Sequence, residues 1–199
     1  MPYIKYLTEN KQSETEINTQ LDSMLTYGTP VLKAPTGTGK TSLVYKRMQR
    51  EAKAGKLTIL ALPFRSIADN KRKQAEEYGI ESAYASALND TYFSPFGQAV
   101  QTTFESALLI IEKYSHKYTD LRLYIDEAHL LIGHSTFRHT HKLLEQNIKT
   151  VAMTATPLLL ESIGFNVYEP VRDVMPFENE GAPIKAKVYT TNKTTEDVV

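Results

Sequence analysis

The sequence predicts an α/β domain, with a mostly parallel central sheet and helices on both of its faces. Three observations predict it. Short apolar runs alternate with segments of helical period, one such run passes through a glycine-rich turn into a helix, and another ends in a pair of carboxylates. Parallel strands need a crossover long enough to hold a helix, so this alternation implies βαβ units and a sheet buried on both sides. With 199 residues the chain has room for one domain with a full core, or one domain and a small appendage.

The elements follow in order. "SETEINTQLDSML" offers a cap at Ser13 or Thr15 and apolar residues Ile17, Leu21, Met24 and Leu25 at helical spacing. "YGTP" breaks that helix, and "VLKA" (31–34) is a short strand. A second helix runs from Thr41 to about Lys53 and stops near Gly55; "KLTILALP" (56–63) is a buried strand. "RSIADNKRKQAEEY" reads as a polar helix ending before Gly79. "AVQTT" (99–103) is a strand, and "FESALLIIEKYSHKY" an amphipathic helix with Phe104, Leu108 and Ile111 on one face. "LRLYID" (121–126) is a strand, "TFRHTHKLLEQN" a helix, and "KTVAMTAT" (149–156) a strand. After Pro157 the pattern weakens; "PIKAKVYT" (183–190) alternates with period two and reads as a last, edge strand. The domain is thus placed at 29–190, after a helical lead-in (1–28) and before a polar tail or cut linker (191–199).

Composition narrows the classes. Hydrophobic residues make up 41% and charged residues 23%, ordinary for a soluble globular protein. Cysteine is absent, which excludes disulfides, thiolate zinc sites and a cysteine nucleophile, and fits a reducing compartment. The N-terminus lacks the apolar core of a signal peptide, and the longest uninterrupted apolar run, Ala107 to Ile111, is too short to cross a bilayer. A cytoplasmic location without a membrane partner is expected. Lys plus Arg equals Asp plus Glu at 23 each, which speaks against a globally basic DNA-coating protein. It does not speak against a local groove with a few well-placed donors.

"APTGTGKT" (34–41) has the context in which a phosphate-binding loop works, strand before and helix after. Gly37 and Gly39 let backbone N–H groups turn inward to phosphate oxygens, and the helix beginning at Lys40 adds its N-terminal partial charge. The loop residues Ala34, Pro35, Thr36, Gly37, Thr38 and Gly39 would wrap the phosphates of a nucleotide. Lys40 would reach the β- and γ-phosphates, and the Thr41 hydroxyl would ligate Mg²⁺. The first position is Ala34, where the general pattern has Gly.

"LYIDEAHLL" (123–131) supplies the other half of such a site at the C-terminal end of an apolar strand, the edge at which parallel α/β sheets place ligands. Asp126 would hold Mg²⁺ through water, and Glu127 would orient or deprotonate the attacking water. The competing reading is an acidic strand-to-helix turn in which one carboxylate caps the helix.

"APTGTGKT", "DEAH" and "TAT" (154–156) together resemble motifs I, II and III of superfamily 2 helicases and translocases. "LPFRS" (62–66) is similar to motif Ia, and "VQTTFE" (100–105) to motif Ib or Ic. The resemblance runs in order from about residue 29 to 157. It implies a three-layer RecA-like P-loop NTPase domain, with Lys40, Asp126 and Glu127 catalytic. It also implies that His129 contacts Thr154 or Thr156, linking the ATP site to the nucleic-acid site. Phe64, Arg65, Ser66, Thr102 and Thr103 would touch the nucleic-acid backbone, whose phosphates suit hydroxyls, helix-start N–H groups and Arg. A helix cap for Thr103 and a solvated side chain for Arg65 remain as alternatives. "KRK" (71–73) would extend a basic track or, the favoured reading, form a solvated helix face. Gln12 and Gln20 are candidates for reading adenine, neither in a clear copy of the family's motif. The histidine-rich "HSTFRHTH" (134–141) matches no zinc spacing.

Members of this superfamily work as two RecA-like domains, the second carrying arginine fingers. Nothing after Thr156 resembles that half. The expectation is therefore the first motor domain alone, with a second RecA-like domain and single-stranded or duplex nucleic acid, DNA favoured over RNA, as partners. A nucleotide-dependent scaffold without motor activity is the alternative.

Overall fold

The structure, a computed structural model, describes residues 13–34, 39–84, 98–118, 120–137 and 139–170. Helix α1 (Glu14–Met24) leads to β1 (Pro30–Lys33), α2 (Lys40–Lys53), β2 (Leu57–Leu62), α3 (Arg65–Glu77) and β3 (Ile80–Ser82). Then come β4 (Gln98–Thr103), α4 (Phe104–Tyr114), β5 (Leu121–Ile125), α5 (Leu130–Gly133), β6 (Lys149–Thr154), α6 (Leu158–Ser162) and β7 (Asn166–Tyr168). The strands form one seven-stranded sheet in the order β3-β4-β2-β5-β6-β1-β7, and every pairing is parallel. The expected strand "PIKAKVYT" lies outside the described residues.

Both sheet faces are buried, and the strand period of two sorts the side chains between them. Leu57, Ile59, Val100, Leu123, Ile125 and Ala152 join Phe104, Ile110 and Phe137 on one face. Leu32, Leu60, Leu62, Tyr124, Val151 and Met153 meet Ile17, Leu21, Val44, Tyr45 and Met48 on the other. A sheet covered on both sides needs strands that are apolar throughout, and β2 and β5 are buried along their whole length.

Ser13 rather than Thr15 caps α1, in a reciprocal box: its hydroxyl accepts from the Glu16 N–H (3.2 Å) while the Glu16 carboxylate accepts from the Ser13 N–H (2.6 Å). That bond to the Ser13 backbone holds the Glu16 carboxyl below its ordinary range. Polar groups also enter the core, several of them in linked clusters. Arg47 on α2 gives its Nε to the Tyr124 hydroxyl (2.8 Å) and its NH1 to the Asn18 carbonyl and side chain (3.3 and 3.2 Å). Its NH2 pairs with Asp22. Tyr124 in turn donates to Glu51 (2.7 Å); burial, and then that carboxylate, keep the phenol neutral far above its usual range. Gln101 on β4 accepts from Tyr45 (2.7 Å) and donates to the Ala68 carbonyl of α3 (2.9 Å) and to Ser82 (2.7 Å).

Two expectations need correction. The stretch "TFRHTHKLLEQN" is not an α-helix but two 3₁₀ turns, Ser135–Phe137 and His141–Glu145. Its buried residues, Phe137, Thr140 and Leu143, recur every third position, which is the 3₁₀ period. The Thr140 hydroxyl also bonds the Phe137 carbonyl (2.9 Å), a local alternative to the helical ladder. The weak pattern after Pro157 conceals a helix, α6, and an edge strand, β7, that pairs with β1.

Candidate nucleotide site and nucleic-acid face

The sheet order places three strand ends side by side. β6 lies between β1 and β5, so the loop leaving β1 and the carboxylates leaving β5 are two strand spacings apart, about 9.5 Å. That gap has the width of a phosphate, a metal ion and a water molecule.

On the β1 side the Ala34 N–H extends the ladder to the Thr154 carbonyl (3.2 Å). Pro35, Thr36, Gly37 and Thr38 lie outside the described residues. Gly39 caps α2 at φ 90°, a left-handed conformation that favours glycine. Lys40 follows, only 7% exposed, and its Nζ donates back to the Ala34 carbonyl (2.6 Å). The ammonium thereby ties the start of α2 to the end of β1.

On the β5 side the Asp126 N–H bonds the Ala61 carbonyl (2.9 Å) and the Ala128 N–H the Met153 carbonyl (3.0 Å). Between them the backbone turns sharply. Glu127 sits at φ 50°, the one positive-φ residue other than glycine among the described residues. A side chain in the left-handed region costs about 1–2 kcal/mol, and such strain gathers at functional positions. Here the turn leaves Asp126 facing Lys71 of α3 (3.1 Å), with Oδ1 accepting from the Glu127 N–H (3.1 Å), while Glu127 stays partly exposed beside it.

His129 Nδ1 lies 2.9 Å from the Thr154 hydroxyl and 3.5 Å from Glu127. The same hydroxyl accepts from the Thr156 N–H (3.0 Å). The structure therefore brings His129, Thr154 and Thr156 together with Glu127, in one chain of contacts that crosses from β5 to β6.

A residue read from the sequence as a solvated helix face enters this site. Lys71 Nζ lies 3.0 Å from Thr41 Oγ1 and 3.1 Å from Asp126 Oδ2. A signal was available: Lys71 stands between Ala68 and Ala75, the two buried positions of α3, on the inward stripe of that helix. The side chains fit a Mg²⁺ ion. A hydroxyl and a carboxylate, both hard oxygen donors, converge on a point that a cation already touches, and Mg²⁺ keeps its remaining positions for water and phosphate.

The candidate nucleic-acid residues divide. Phe64, Arg65 and Ser66 are exposed at the start of α3. The Phe64 ring, 45% exposed, leans on Phe137 (5.3 Å), which also meets Phe104 and His134. Arg65 lies over the Tyr84 ring (4.5 Å) and pairs with Asp69 (3.6 Å). The Tyr84 hydrogen bond to Asp69, opposed by slight burial and aided by Arg72, holds that carboxyl below its ordinary range.

Thr102 and Thr103 behave differently from each other. The Thr102 side chain is fully buried, with no partner for its hydroxyl among the described residues, so it does not face a ligand in this conformation. Thr103 caps α4, accepting from the Ser106 N–H (3.4 Å). Thr103→Ala should lower stability by about 1 kcal/mol in urea unfolding, with Thr103→Ser recovering most of it.

A search of curated protein sequences finds no match. Solved structures are similar in fold. S. cerevisiae Dbp5 bound to RNA and ADP BeF3 matches with a TM-score of 0.52 and 15% identity, over 73% of this chain and 42% of that one. A hypothetical ATP-dependent RNA helicase from Sulfolobus tokodaii matches at 0.52 and 18% identity, over 84% and 56%. The DUF1998 helicase MrfA bound to DNA matches at 0.53 and 14% identity, over 77% and 25%. The chain spans between 41% and 56% of the first structures it matches. The model of the DEAD/DEAH box helicase family matches residues 15–161, from α1 through the carboxylate turn to α6. The chain belongs to the DEAD/DEAH box helicase family and carries the fold of its first motor domain.

Proposed function

We propose that the chain binds Mg–ATP at the C-terminal edge of its sheet and hydrolyses it to ADP and phosphate. Completed by a second RecA-like domain, it uses that reaction to move along or open nucleic acid. The observation that carries this reading is the convergence of Lys40, Thr41, Asp126 and Glu127 on one sheet edge. The phosphates belong with the loop and Lys40, the metal with Thr41 and Asp126, and the attacking water with Glu127. Magnesium supplies charge neutralisation at the phosphates. The protein's own part is to fix Thr41 and Asp126 on separate elements and to hold a carboxylate beside the water. His129 and Thr154 support a route by which loss of the γ-phosphate reaches β6.

The nucleic-acid partner, single-stranded or duplex, would lie over Phe64, Arg65 and Ser66, contacted through its backbone and through one exposed ring. Relatives in fold are bound to RNA in one case and DNA in another; DNA is kept as the favoured track. The cysteine-free sequence supports a cytoplasmic setting.

The test is ATPase activity of the longest natural form of the protein, with and without single-stranded DNA or RNA. Stimulation by one polymer, lost in Lys40→Ala, is expected. Lys40-dependent ATP binding with no response to either polymer would overturn the motor reading. The chain of 199 residues by itself should hydrolyse ATP very slowly and unwind nothing. Arginine fingers contribute roughly 10³–10⁵ in rate at related sites, and they would come from the second domain. Rapid turnover by the purified chain would contradict this.

A further inference from the structure

Helix α3 delivers a cation to the pair of oxygens assigned to the metal, and its placement is built in. Gln101, fully buried on β4, holds the Ala68 carbonyl (2.9 Å) one turn before Lys71. Gln74 Nε2 reaches the Ser42 hydroxyl (3.0 Å) one turn after it. Helix α3 is thus docked against the first turn of α2 by neighbouring contacts, Lys71 to Thr41 and Gln74 to Ser42. Between these anchors the Lys71 ammonium lies 3.0 Å from Thr41 Oγ1 and 3.1 Å from Asp126 Oδ2. The Asp126 side chain is 8% exposed and that of Lys71 27%, so the carboxylate is enclosed while the lysine keeps a path to solvent.

We infer that Lys71 is a displaceable counter-ion that competes with Mg²⁺ for Asp126 and Thr41. The inference rests on the reading of those two residues as the metal pair. The physical reason is one of occupancy. Mg²⁺ binds oxygen at about 2.0–2.1 Å and holds outer carboxylates through water, so it needs the space between Thr41 and Asp126 that the ammonium fills. Two positive charges do not share it. In the metal-free protein Lys71 spares Asp126 the cost of a buried unpaired charge and keeps both oxygens facing one point. When Mg–ATP arrives, the four-carbon stem swings the ammonium out to solvent, which needs rotation of side-chain bonds and no movement of α3. The seated lysine weakens metal binding by the fraction of time the pair is available.

The test uses the whole chain and a fluorescent ATP analogue, titrated with nucleotide at fixed Mg²⁺ and with Mg²⁺ at fixed nucleotide. Wild type is compared with Lys71→Met and with Lys71→Gln, the second keeping a hydrogen-bond donor for Asp126. Both variants should need less Mg²⁺, by about 3- to 30-fold, for half-maximal nucleotide binding, the range expected if the pair is free between a third and a thirtieth of the time. Melting in chelator should fall in Lys71→Met, whereas melting with Mg–ADP should equal or exceed wild type. A merely structural lysine would lower both. Unchanged or weaker Mg²⁺ dependence in the variants, with wild type Mg²⁺-dependent, would overturn the proposal and leave the metal pair standing. Nucleotide binding indifferent to Mg²⁺ in wild type would overturn the metal pair and the proposal with it.

Discussion

Glu127→Gln should slow ATP turnover by the longest natural form by roughly 10²–10⁴-fold, the usual contribution of a general base. Nucleotide affinity should stay within about three-fold. The two effects separate because Glu127 stands apart from the atoms that would hold the nucleotide. The Asp126 carboxylate and Thr41 hydroxyl meet around Lys71, whereas Glu127 turns from them toward His129. Gln keeps the size of the side chain and adopts the left-handed backbone at no greater cost than Glu, so the variant tests charge and basicity alone. Single-turnover kinetics with an independent binding measurement would distinguish the cases. Equal losses in rate and affinity would make Glu127 a phosphate-site residue, and an unchanged rate would remove it from the chemistry.

Arg47→Ala should cost about 3–5 kcal/mol, because one partner of a buried charged cluster is taken away and the others remain. The guanidinium is 4% exposed and its donors meet Tyr124, Asn18, Asp22 and Glu51. Burial alone would favour its neutral form, but Tyr124, Asp22 and Glu51 together outweigh that and raise its pKa. After truncation Glu51 keeps Tyr124 (2.7 Å) and Arg122 (3.7 Å), but Asn18 and Asp22 lose their cation, and the Lys46–Glu14 pair (2.7 Å) remains as a polar tie between α1 and α2. Arg47→Lys should recover only part of the loss, since one ammonium cannot reproduce a planar fork with several directions. Denaturant unfolding followed by circular dichroism reads the difference. A loss below about 1 kcal/mol would mean that water replaces the side chain, and that the cluster is surface-like in energy.

Most of the architecture was legible because each long element follows a single period. β2 and β5 are largely apolar runs, broken only by Thr58 and Arg122, and α4 shows a helical stripe from Phe104 to Ile111. What was not legible was short or depended on tertiary placement. β3 and β7 have three residues each, too few for alternation to register. The segment after the "DEAH" turn has a composition that a helix tolerates, and only the burial of Phe137, Thr140 and Leu143 shows it to be 3₁₀. At the site, Lys40, Asp126 and Glu127 could be named from the loop and the strand end. Lys71 could not be assigned a partner from sequence, because its contacts come from two other elements. Thr102 and Thr103 are adjacent and similar in type, yet the doubly covered sheet buries the first while the helix start claims the second.

Because β1 lies between β6 and β7, it is synthesised before either of its sheet neighbours and waits more than a hundred residues for them. Val31 pairs with Ala152 and Val167, contacts of very long sequence separation that form slowly. A nascent chain that ends before Lys149 has its "GKT" but nothing to hold β1 in register, so ATP cannot serve it as a folding ligand. Nucleotide binding would then mark completion: a chain that retains ATP has already threaded its first strand between two of its last.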